Sequence, residues 1–164
     1  MSQLVPPNGL EEIIQVFGDI NQYLGNDGQP NSQWKDGVMQ LVNLPFPIKY
    51  HSNPSQNLTR LRCHHKLTDV FAAVFNAIVN QGLKDKIDDC DGCYCFREKS
   101  SGNGELSVHS WGIAIDLNVS TNKPNTPGDM PPELIALFQD FGFEWGGDWS
   151  NYRDPMHFQY CTGY

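Results

Sequence analysis

The sequence predicts an α+β fold in which a small, mainly antiparallel sheet is backed by helices. The prediction rests on helical periodicity from Lys66 to Gly82 and on several short segments that alternate apolar and polar residues. These elements follow the order helix, strand, strand, helix, strand, strand. At 164 residues the chain is most simply one domain, 1–164, with a core of about residues 60–160. We expect residues 1–59 to form an N-terminal extension packed on or near that core.

The N-terminal extension contains one predicted helix and little other regular structure. Leu10 to Phe17 carries apolar residues at three- and four-residue steps, which is typical of a short amphipathic helix. Asn21 to Asp36 is rich in Gly, Asn, Gln and Asp and predicts a loop. Val38 to Tyr50 is apolar, but Pro45 and Pro47 interrupt it. It therefore fits an edge strand or an irregular lid better than a central strand.

The core contains two predicted helices and several short strands. The helix from Lys66 to Gly82 has its apolar residues on one stripe, which we interpret as core packing. A second helix from Pro131 to Phe141 begins with proline and is followed by Gly142. Strands are predicted at Gly92 to Arg97, Ile113 to Val119, Phe143 to Trp145 and Met156 to Tyr160.

Charge and hydropathy exclude several classes of partner. The formal net charge of −8 argues against nucleic acid and against an anionic membrane surface, because both are bound by clustered Lys and Arg. No apolar run approaches the roughly 18–20 residues that span a bilayer. Met1 to Leu10 lacks a basic start and an apolar stretch, so we expect no secretory signal peptide. The expected protein is a monomer made in the cytoplasm, without nucleic-acid or membrane partners.

The five cysteines leave two interpretations open. Cys90, Cys93 and Cys95 lie close enough in sequence for a structural zinc site, with His64 and His65, next to Cys63, as further ligands. The usual second pair of ligands at a comparable spacing is missing, however. The odd count and the expected absence of a signal peptide favour reduced, packed thiols over a disulfide framework.

Two segments carry the side chains of a hydrolytic metal site. Ser107 to Asp116 contains His109 and Asp116, and His157 follows some forty positions later. A catalytic zinc ion takes about three nitrogen or oxygen ligands from the protein and keeps one position open. His109, Asp116 and His157 supply such a set, although the same donors accept other first-row metals.

Period-two alternation indicates how these ligands point. Apolar residues alternate with Ala114 and Asp116, so Asp116 is expected to face away from the core onto an open surface, beside a small neighbour. His157 shares one strand face with Gln159 in the same way. Gly112 permits a backbone bend or a close approach between His109 and its strand.

Asp154 is the predicted general base. Pro155 favours an extended conformation at Asp154 and stiffens the link to His157. The carboxylate would take a proton from the attacking water and pass it to the leaving amine. Structural alternatives exist for each residue taken alone: a hydrogen-bonded histidine, a charge at a sheet edge for Asp116, and a turn at Asp154. The joint pattern favours the metal site.

The pattern Ser107-x-His109-x-x-Gly112-x-Ala114-x-Asp116, followed by Asp154-x-x-His157, resembles the D-alanyl-D-alanine metallopeptidase family. That family includes vancomycin-resistance carboxypeptidases and dipeptidases and the L-alanyl-D-glutamate endopeptidases of phage lysins. The resemblance covers about residues 60–160. It implies a peptidase with one Zn²⁺ ion that acts on peptidoglycan stem peptides, with a fold like that of the hedgehog signalling domain.

The resemblance also assigns roles to single residues. It places His109, Asp116 and His157 on the family's zinc ligands, and Asp154 on its catalytic acid. Ser107 matches the serine that opens the motif. Arg97 matches an arginine that positions substrate and stabilises the transition state. From the residues alone, Arg97 is equally well an edge charge paired with Glu98 or Asp91.

Two further points bear on the site. Many family members carry glutamate where this chain has Asp154, so Asp148 and Glu144 are alternative acids if the shorter side chain does not reach. Trp149 lies in a glycine-containing loop, where lining a substrate pocket and packing within the loop are about equally expected. Trp111 and Trp145 are candidates for the same cleft, although core packing is favoured for Trp145.

The function favoured by the sequence is a lysin-type L-alanyl-D-glutamate endopeptidase, because a cell-wall enzyme without a signal peptide fits phage-type release or a virion-associated enzyme. The first alternative is a D-alanyl-D-alanine carboxypeptidase, for which Arg97 would bind the terminal carboxylate. An alternative from another class is a catalytically silent, zinc-stabilised binding module.

Overall fold

The described part of the chain, residues 4–100 and 102–164 of a computed structural model, contains two antiparallel sheets and three α-helices. The strands are β1 (Met39–Lys49), β2 (Asn57–His64), β3 (Cys90–Gly92), β4 (Ala114–Leu117), β5 (Glu144–Trp145) and β6 (His157–Gln159). One sheet pairs β1 with β2, and the other has the order β3-β4-β6-β5. The predicted α+β class with small antiparallel sheets is confirmed.

The three helices match the predicted periodic segments. They are α1 (Gly9–Phe17), α2 (Thr68–Asn80) and α3 (Pro132–Asp140). The predicted stripe of α2 is core, since Phe71, Val74, Phe75 and Ile78 are fully buried. Helix α3 begins with Pro132 and ends just before Gly142, whose φ of 93° is strained for other residues.

The first predicted strand is confirmed as an edge strand. β1 pairs with β2 alone, and the register shifts between Asn43 and Ile48. That interval contains both prolines, which have no N–H group to donate to a ladder. The strand is therefore regular at both ends and irregular in the middle.

Three expectations about elements were wrong. Asn21 to Asp36 was expected to be loop throughout, but a 3-10 helix (Ile20–Tyr23) and a π-helix (Gln33–Val38) occupy its two ends. The strand expected at Gly92 to Arg97 lies earlier, at β3. Beyond Gly92 the backbone N–H groups donate to several segments and not to one neighbouring strand. Tyr94 N donates to Arg62 O at 3.1 Å and Cys95 N donates to His109 O at 3.1 Å. Strand β2 was not predicted at all.

The N-terminal residues share the core and hold one important turn. Ile13, Phe17, Ile20 and Trp34 are all buried in the same hydrophobic cluster as β4 and α2. The Trp34 indole donates to Ser110 O at 3.3 Å, and the Trp111 indole donates to Gly18 O at 2.8 Å. Both hydrogen bonds connect the N-terminal residues to the 3-10 helix Val108–Trp111, which contains His109. None of the helices in the described residues is long and apolar enough to cross a membrane.

Candidate active site

The predicted metal ligands His109, Asp116 and His157 come together. Asp116 and His157 are direct cross-strand partners in the β4–β6 ladder. His157 Nδ1 lies 2.9 Å from Asp116 Oδ1, and His109 Nε2 lies 3.2 Å from Asp116 Oδ2. The two imidazoles approach to 3.2 Å between His109 Nε2 and His157 Nδ1. One ligand atom from each residue lies within 4.8 Å of the others, so a single cation can touch all three.

His109 is placed by a turn rather than by a strand. Ser107 Oγ accepts a hydrogen bond from His109 N at 3.4 Å and so caps the 3-10 helix. Gly112 ends this helix with a left-handed φ of 65°. A Cβ atom there would lie 2.8 Å from His64 N. The bend and the close approach expected at Gly112 are therefore both present.

Hydrogen bonds on the far side of each ring set its tautomer. His109 Nδ1 lies 2.6 Å from the Cys93 carbonyl oxygen, which only accepts, so Nδ1 carries the proton. His157 Nε2 lies 3.1 Å from Gln159 Oε1 and donates to it. The Gln159 amide is oriented by its own N–H donation to Cys161 O at 3.4 Å. His109 Nε2 and His157 Nδ1 are therefore the nitrogens that face Asp116, and each can bind a cation once it has lost its proton.

Asp116 lies in a more enclosed place than expected. Its side chain is only 15% exposed and its neighbour Ala114 is fully buried, so this strand face borders a cavity rather than an open surface. Burial alone would raise the pKa of Asp116, but the charges and hydrogen bonds of His109 and His157 outweigh it and lower the pKa. Burial alone would lower the pKa of His157, and the carboxylates of Asp116 and Asp154 raise it instead.

Asp154 faces the same cavity with one oxygen unsatisfied. Its Oδ1 is buried and has no hydrogen-bond partner among the described residues. Burial raises the pKa of its carboxyl, and the nearby Asp116 adds to that effect. The backbone is fixed, because Asp154 N donates to Gly146 O at 2.9 Å and the Trp145 indole donates to Pro155 O at 2.8 Å. A carboxylate held in this way is free to accept a proton from a group in the cavity.

The alternative acids occupy different surroundings. Glu144 Oε1 accepts from the Trp149 indole at 2.6 Å, and Asp148 Oδ2 accepts from Gln139 at 3.2 Å. Both line a neighbouring cavity of about 760 Å³ and not the one that contains His157. The Asp154 carboxylate therefore has the better position for chemistry at the His–Asp–His group.

The cavity beside the His–Asp–His group has a volume of about 250 Å³. It contains every residue that the sequence predicted for substrate or proton transfer: Arg97, Ser107, Trp149 and Asp154. Sequence reasoning missed Lys99, Tyr152 and Tyr164, which also line it. Tyr152 lies in the same loop as Trp149, so the reasoning that predicted a pocket role for Trp149 could also have predicted one for Tyr152. Lys99 and Tyr164 meet across 65 positions of sequence, so no local signal could have joined them.

The positions of Trp149, Trp111 and Arg97 agree in part with the roles predicted for them. The Trp149 ring lies 5.6 Å from the His157 ring and lines the cavity, so it does more than pack within its loop. Trp111 is 2% exposed and packs in the core instead of lining the cleft. Arg97 is exposed, and its guanidinium donates to the Glu98 carbonyl at 3.3 Å. Asp91 bonds to Ser52, so the expected pairing with Arg97 is absent among the described residues.

The cysteines do not form a second metal site within the part of the chain that the structure describes. His109, Asp116 and His157 form the one group there with metal-ligand geometry. All five cysteines are free thiols; four are buried and Cys95 is exposed. Burial raises the pKa of the Cys63 thiol to about 12, so it remains protonated and acts as a packing residue.

Comparison with known proteins identifies the chain's relatives. A family model described as D-alanyl-D-alanine carboxypeptidase matches residues 101–160. The peptidoglycan L-alanyl-D-glutamate endopeptidase CwlK of Bacillus subtilis (strain 168) is 25% identical over 138 residues, which cover 73% of this chain and 78% of that protein. The L-alanyl-D-glutamate peptidase of Listeria phage A118 is 36% identical over 58 residues, which cover 33% of this chain and 21% of the phage protein. The region that matches the family model contains His109, Asp116, Asp154 and His157, so this part of the chain is similar to the D-alanyl-D-alanine metallopeptidase family.

Proposed function

We propose that this chain is a zinc endopeptidase that hydrolyses the L-alanyl–D-glutamate bond of peptidoglycan stem peptides. The observation that carries the proposal is the convergence of three donor atoms, one each from His109, Asp116 and His157, beside a cavity that His157 and Asp154 line. The names of the relatives from Bacillus subtilis and the Listeria phage supply the substrate. We further propose that the chain acts at the cell wall as a monomer, with phage-type release or virion delivery as the route.

The residues present fit a zinc ion. Two neutral imidazoles and one carboxylate are a common donor set for catalytic zinc, and three protein ligands leave one position open. The facing nitrogens of His109 and His157 lie 3.2 Å apart and each contacts an oxygen of Asp116, so a cation could replace the protons that these groups share. When bound, the ion would polarise the scissile carbonyl and make water a better nucleophile at neutral pH.

The surrounding side chains then have separate tasks. Asp154 accepts a proton from the attacking water and donates it to the leaving amine, and its raised pKa brings it closer to the working pH. Arg97 and Ser107 line the cavity. We assign substrate binding to both and, to the guanidinium, stabilisation of the negative charge that develops on the carbonyl oxygen. Trp149 forms an apolar wall beside His157.

A D-alanyl-D-alanine carboxypeptidase is the second candidate, because the matching family model carries that description. Such an enzyme binds the free terminal carboxylate of its substrate. Arg97 would supply the cation for it. The two activities leave different products, so one experiment separates them.

The test is incubation of purified muropeptides with the zinc-loaded protein, with and without a chelator, followed by mass spectrometry. We expect cleavage after L-alanine, which stops when the chelator is added. The loss of a terminal D-alanine alone would favour the carboxypeptidase. Unchanged muropeptides at full zinc occupancy would contradict both.

The variant Asp154→Asn is the matched control for catalysis. It preserves the shape of the side chain and removes the proton acceptor, so turnover should fall about 10²-fold or more. Zinc binding should persist, because Asp154 is not among the three metal ligands. A binding module would keep its function in this variant, and Asp154→Ala gives the same comparison without a polar side chain.

A further inference from the structure

Lys99 occupies a fixed position where the two cavities meet. It lines both the cavity beside the metal ligands and the neighbouring one. Its Nζ lies 3.4 Å from the centre of the Tyr164 ring and 3.0 Å from Glu105 Oε2. The lysine side chain is 26% exposed, so its ammonium group is partly withdrawn from solvent while remaining open to the cavity.

Tyr164 is itself held firmly. Its hydroxyl donates to Leu106 O at 2.8 Å, and the Trp111 ring meets it edge-on at 6.2 Å. Burial raises the pKa of the Tyr164 phenol to about 12, so the ring is neutral at working pH and keeps an electron-rich face. An ammonium group at 3.4 Å from such a face is attracted to it. The aromatic ring therefore fixes the position of the lysine charge.

The backbone places Lys99 beside Arg97. Ser107 N donates to Arg97 O at 2.9 Å and Lys99 N donates to Glu105 O at 2.7 Å. The segment 97–99 thus lies antiparallel to 105–107, with a bridge between Glu98 and Leu106. Residues two apart in an extended segment share one face, and Arg97 and Lys99 both line the cavity beside His157.

Within residues 4–100 and 102–164, two groups contact the Lys99 ammonium group, which leaves one of its donors for a ligand. The group has three N–H donors: one points to Glu105, and the face of Tyr164 takes another. The Asp154 carboxylate lines this cavity and disfavours an anion close to it, so an anion needs a cation as its partner. A substrate carboxylate would therefore bind at the basic edge, at Arg97 or at Lys99.

We propose that Lys99 selects the substrate by binding the free carboxylate of its glutamyl residue. A glutamyl residue inside a peptide always keeps one carboxylate outside the amide backbone, whether it is linked onward through its α or its γ carbon. Arg97 then remains available for the scissile carbonyl, while the Lys99 ammonium group binds the glutamyl carboxylate. The inference rests on the proposed endopeptidase function and adds a specificity-determining residue to it.

The test uses two synthetic peptides that contain the L-alanyl–D-glutamyl bond and differ in one group. One carries the free glutamyl carboxylate and the other carries its carboxamide. The zinc-loaded full chain should cleave the carboxylate peptide with a kcat/KM about tenfold higher, as expected for a hydrogen bond between charged groups. Lys99→Met should abolish that preference, mainly through slower cleavage of the carboxylate peptide.

Two further variants keep the test independent of folding. Lys99→Arg retains the positive charge and should retain most of the preference. Lys123→Met removes an exposed lysine that lines neither cavity and should behave like the parent chain. A preference that survives in Lys99→Met, or that the parent chain lacks, overturns the role of Lys99 alone. If the parent chain cleaves neither peptide, the proposed function fails and the inference fails with it.

Discussion

Gln159 determines which nitrogen of His157 is available to a metal. Its amide oxygen accepts a hydrogen bond from His157 Nε2 at 3.1 Å, so Nδ1 is the nitrogen that faces Asp116. Replacement by leucine keeps the approximate size and removes the acceptor. We expect Gln159→Leu to weaken zinc binding about 10–100-fold, measured by competition with a chromophoric chelator. Gln159→Glu keeps an acceptor at this position and should lose much less; equal affinity in all three proteins would contradict the assignment.

His64 links stability to pH. The side chain is buried, its Nδ1 accepts from Lys66 N at 3.1 Å, and its Nε2 donates to Phe17 O at 3.0 Å. Burial lowers its pKa from 6.5 to about 4. The unfolded chain therefore binds this proton more readily than the folded chain between those values. Stability from His64 is complete above pH 6.5 and falls with decreasing pH by up to about 1.4 kcal/mol per unit.

The pH effect is measured as the free energy of urea unfolding at pH 7, 6 and 5. His64→Gln cannot gain a charge, so its unfolding free energy should fall less steeply over this range, although it is lower at pH 7. The same slope in both proteins would show that His64 is already protonated in the folded state.

At this scale the site was predictable where its residues lie in short motifs. Alternation and spacing predicted that His109, Asp116, Asp154 and His157 lie close together, and the structure brings them together. Their roles in metal binding and catalysis stay predictions. Arg97 and Ser107 came from the family resemblance, and both line the cavity. The Cys93 carbonyl was not predictable, because any residue offers such an acceptor and only the three-dimensional structure selects one.

The element on which the site depends most is the 3-10 helix Val108–Trp111. It ends at Gly112, where a Cβ atom would meet His64 N and the Met39 sulfur, each at 2.8 Å. Gly112→Ala therefore adds a clash with fixed backbone to the cost of a left-handed φ. We expect a loss of stability of about 2–4 kcal/mol and weaker zinc binding, because His109 moves with the helix.

Gly28→Ala is the matched control for that variant. Gly28 has a similar φ of 70°, but a Cβ atom there meets nothing within 4 Å. It should cost only about 1 kcal/mol and leave zinc binding unchanged. Thermal unfolding and zinc titration of both variants measure the two effects, and equal losses would show that the contact with β2 is unimportant.

Elements were predictable when one side of them is continuously apolar. The stripes of α1, α2 and α3 predicted their helices within a few residues. β2 was missed because polar and apolar residues alternate only from Arg60 to Cys63, within a strand of 8 residues. Its pairing with β1 depends on a contact between separate segments. Residues 93–97 alternate in the way a strand does, but their backbone N–H groups donate to several different segments. The sequence does not reveal those partners, so the segment was predicted as a strand.

At the scale of the whole molecule, the N-terminal residues belong to the folding unit and carry part of its core. Ile13, Phe17, Ile20 and Trp34 are at most 2% exposed, and the Trp34 indole reaches Ser110 O. The sequence predicted that residues 1–59 pack on or near the core. It did not indicate that they form hydrogen bonds with the 3-10 helix that contains His109. Their contacts span more than 70 positions of sequence.

A chain that begins at Met39 tests this role. It loses four large buried side chains. The stabilisation that they provide together is comparable to the whole free energy of unfolding of a typical domain. We expect no cooperative thermal transition by circular dichroism and no tight zinc binding. Cooperative unfolding together with full zinc affinity would show that the first 38 residues are a separable appendage.

The pairing of Asp116 with His157 has a consequence for how the protein matures. Both donors lie on one rung of the ladder, and a slip of β6 by a single residue would turn His157 to the opposite side of the sheet. A metal held by both donors, as proposed above, would bind only the molecules with the native alignment and would stabilise them. Metal binding would then favour the native alignment of β6 over the shifted one.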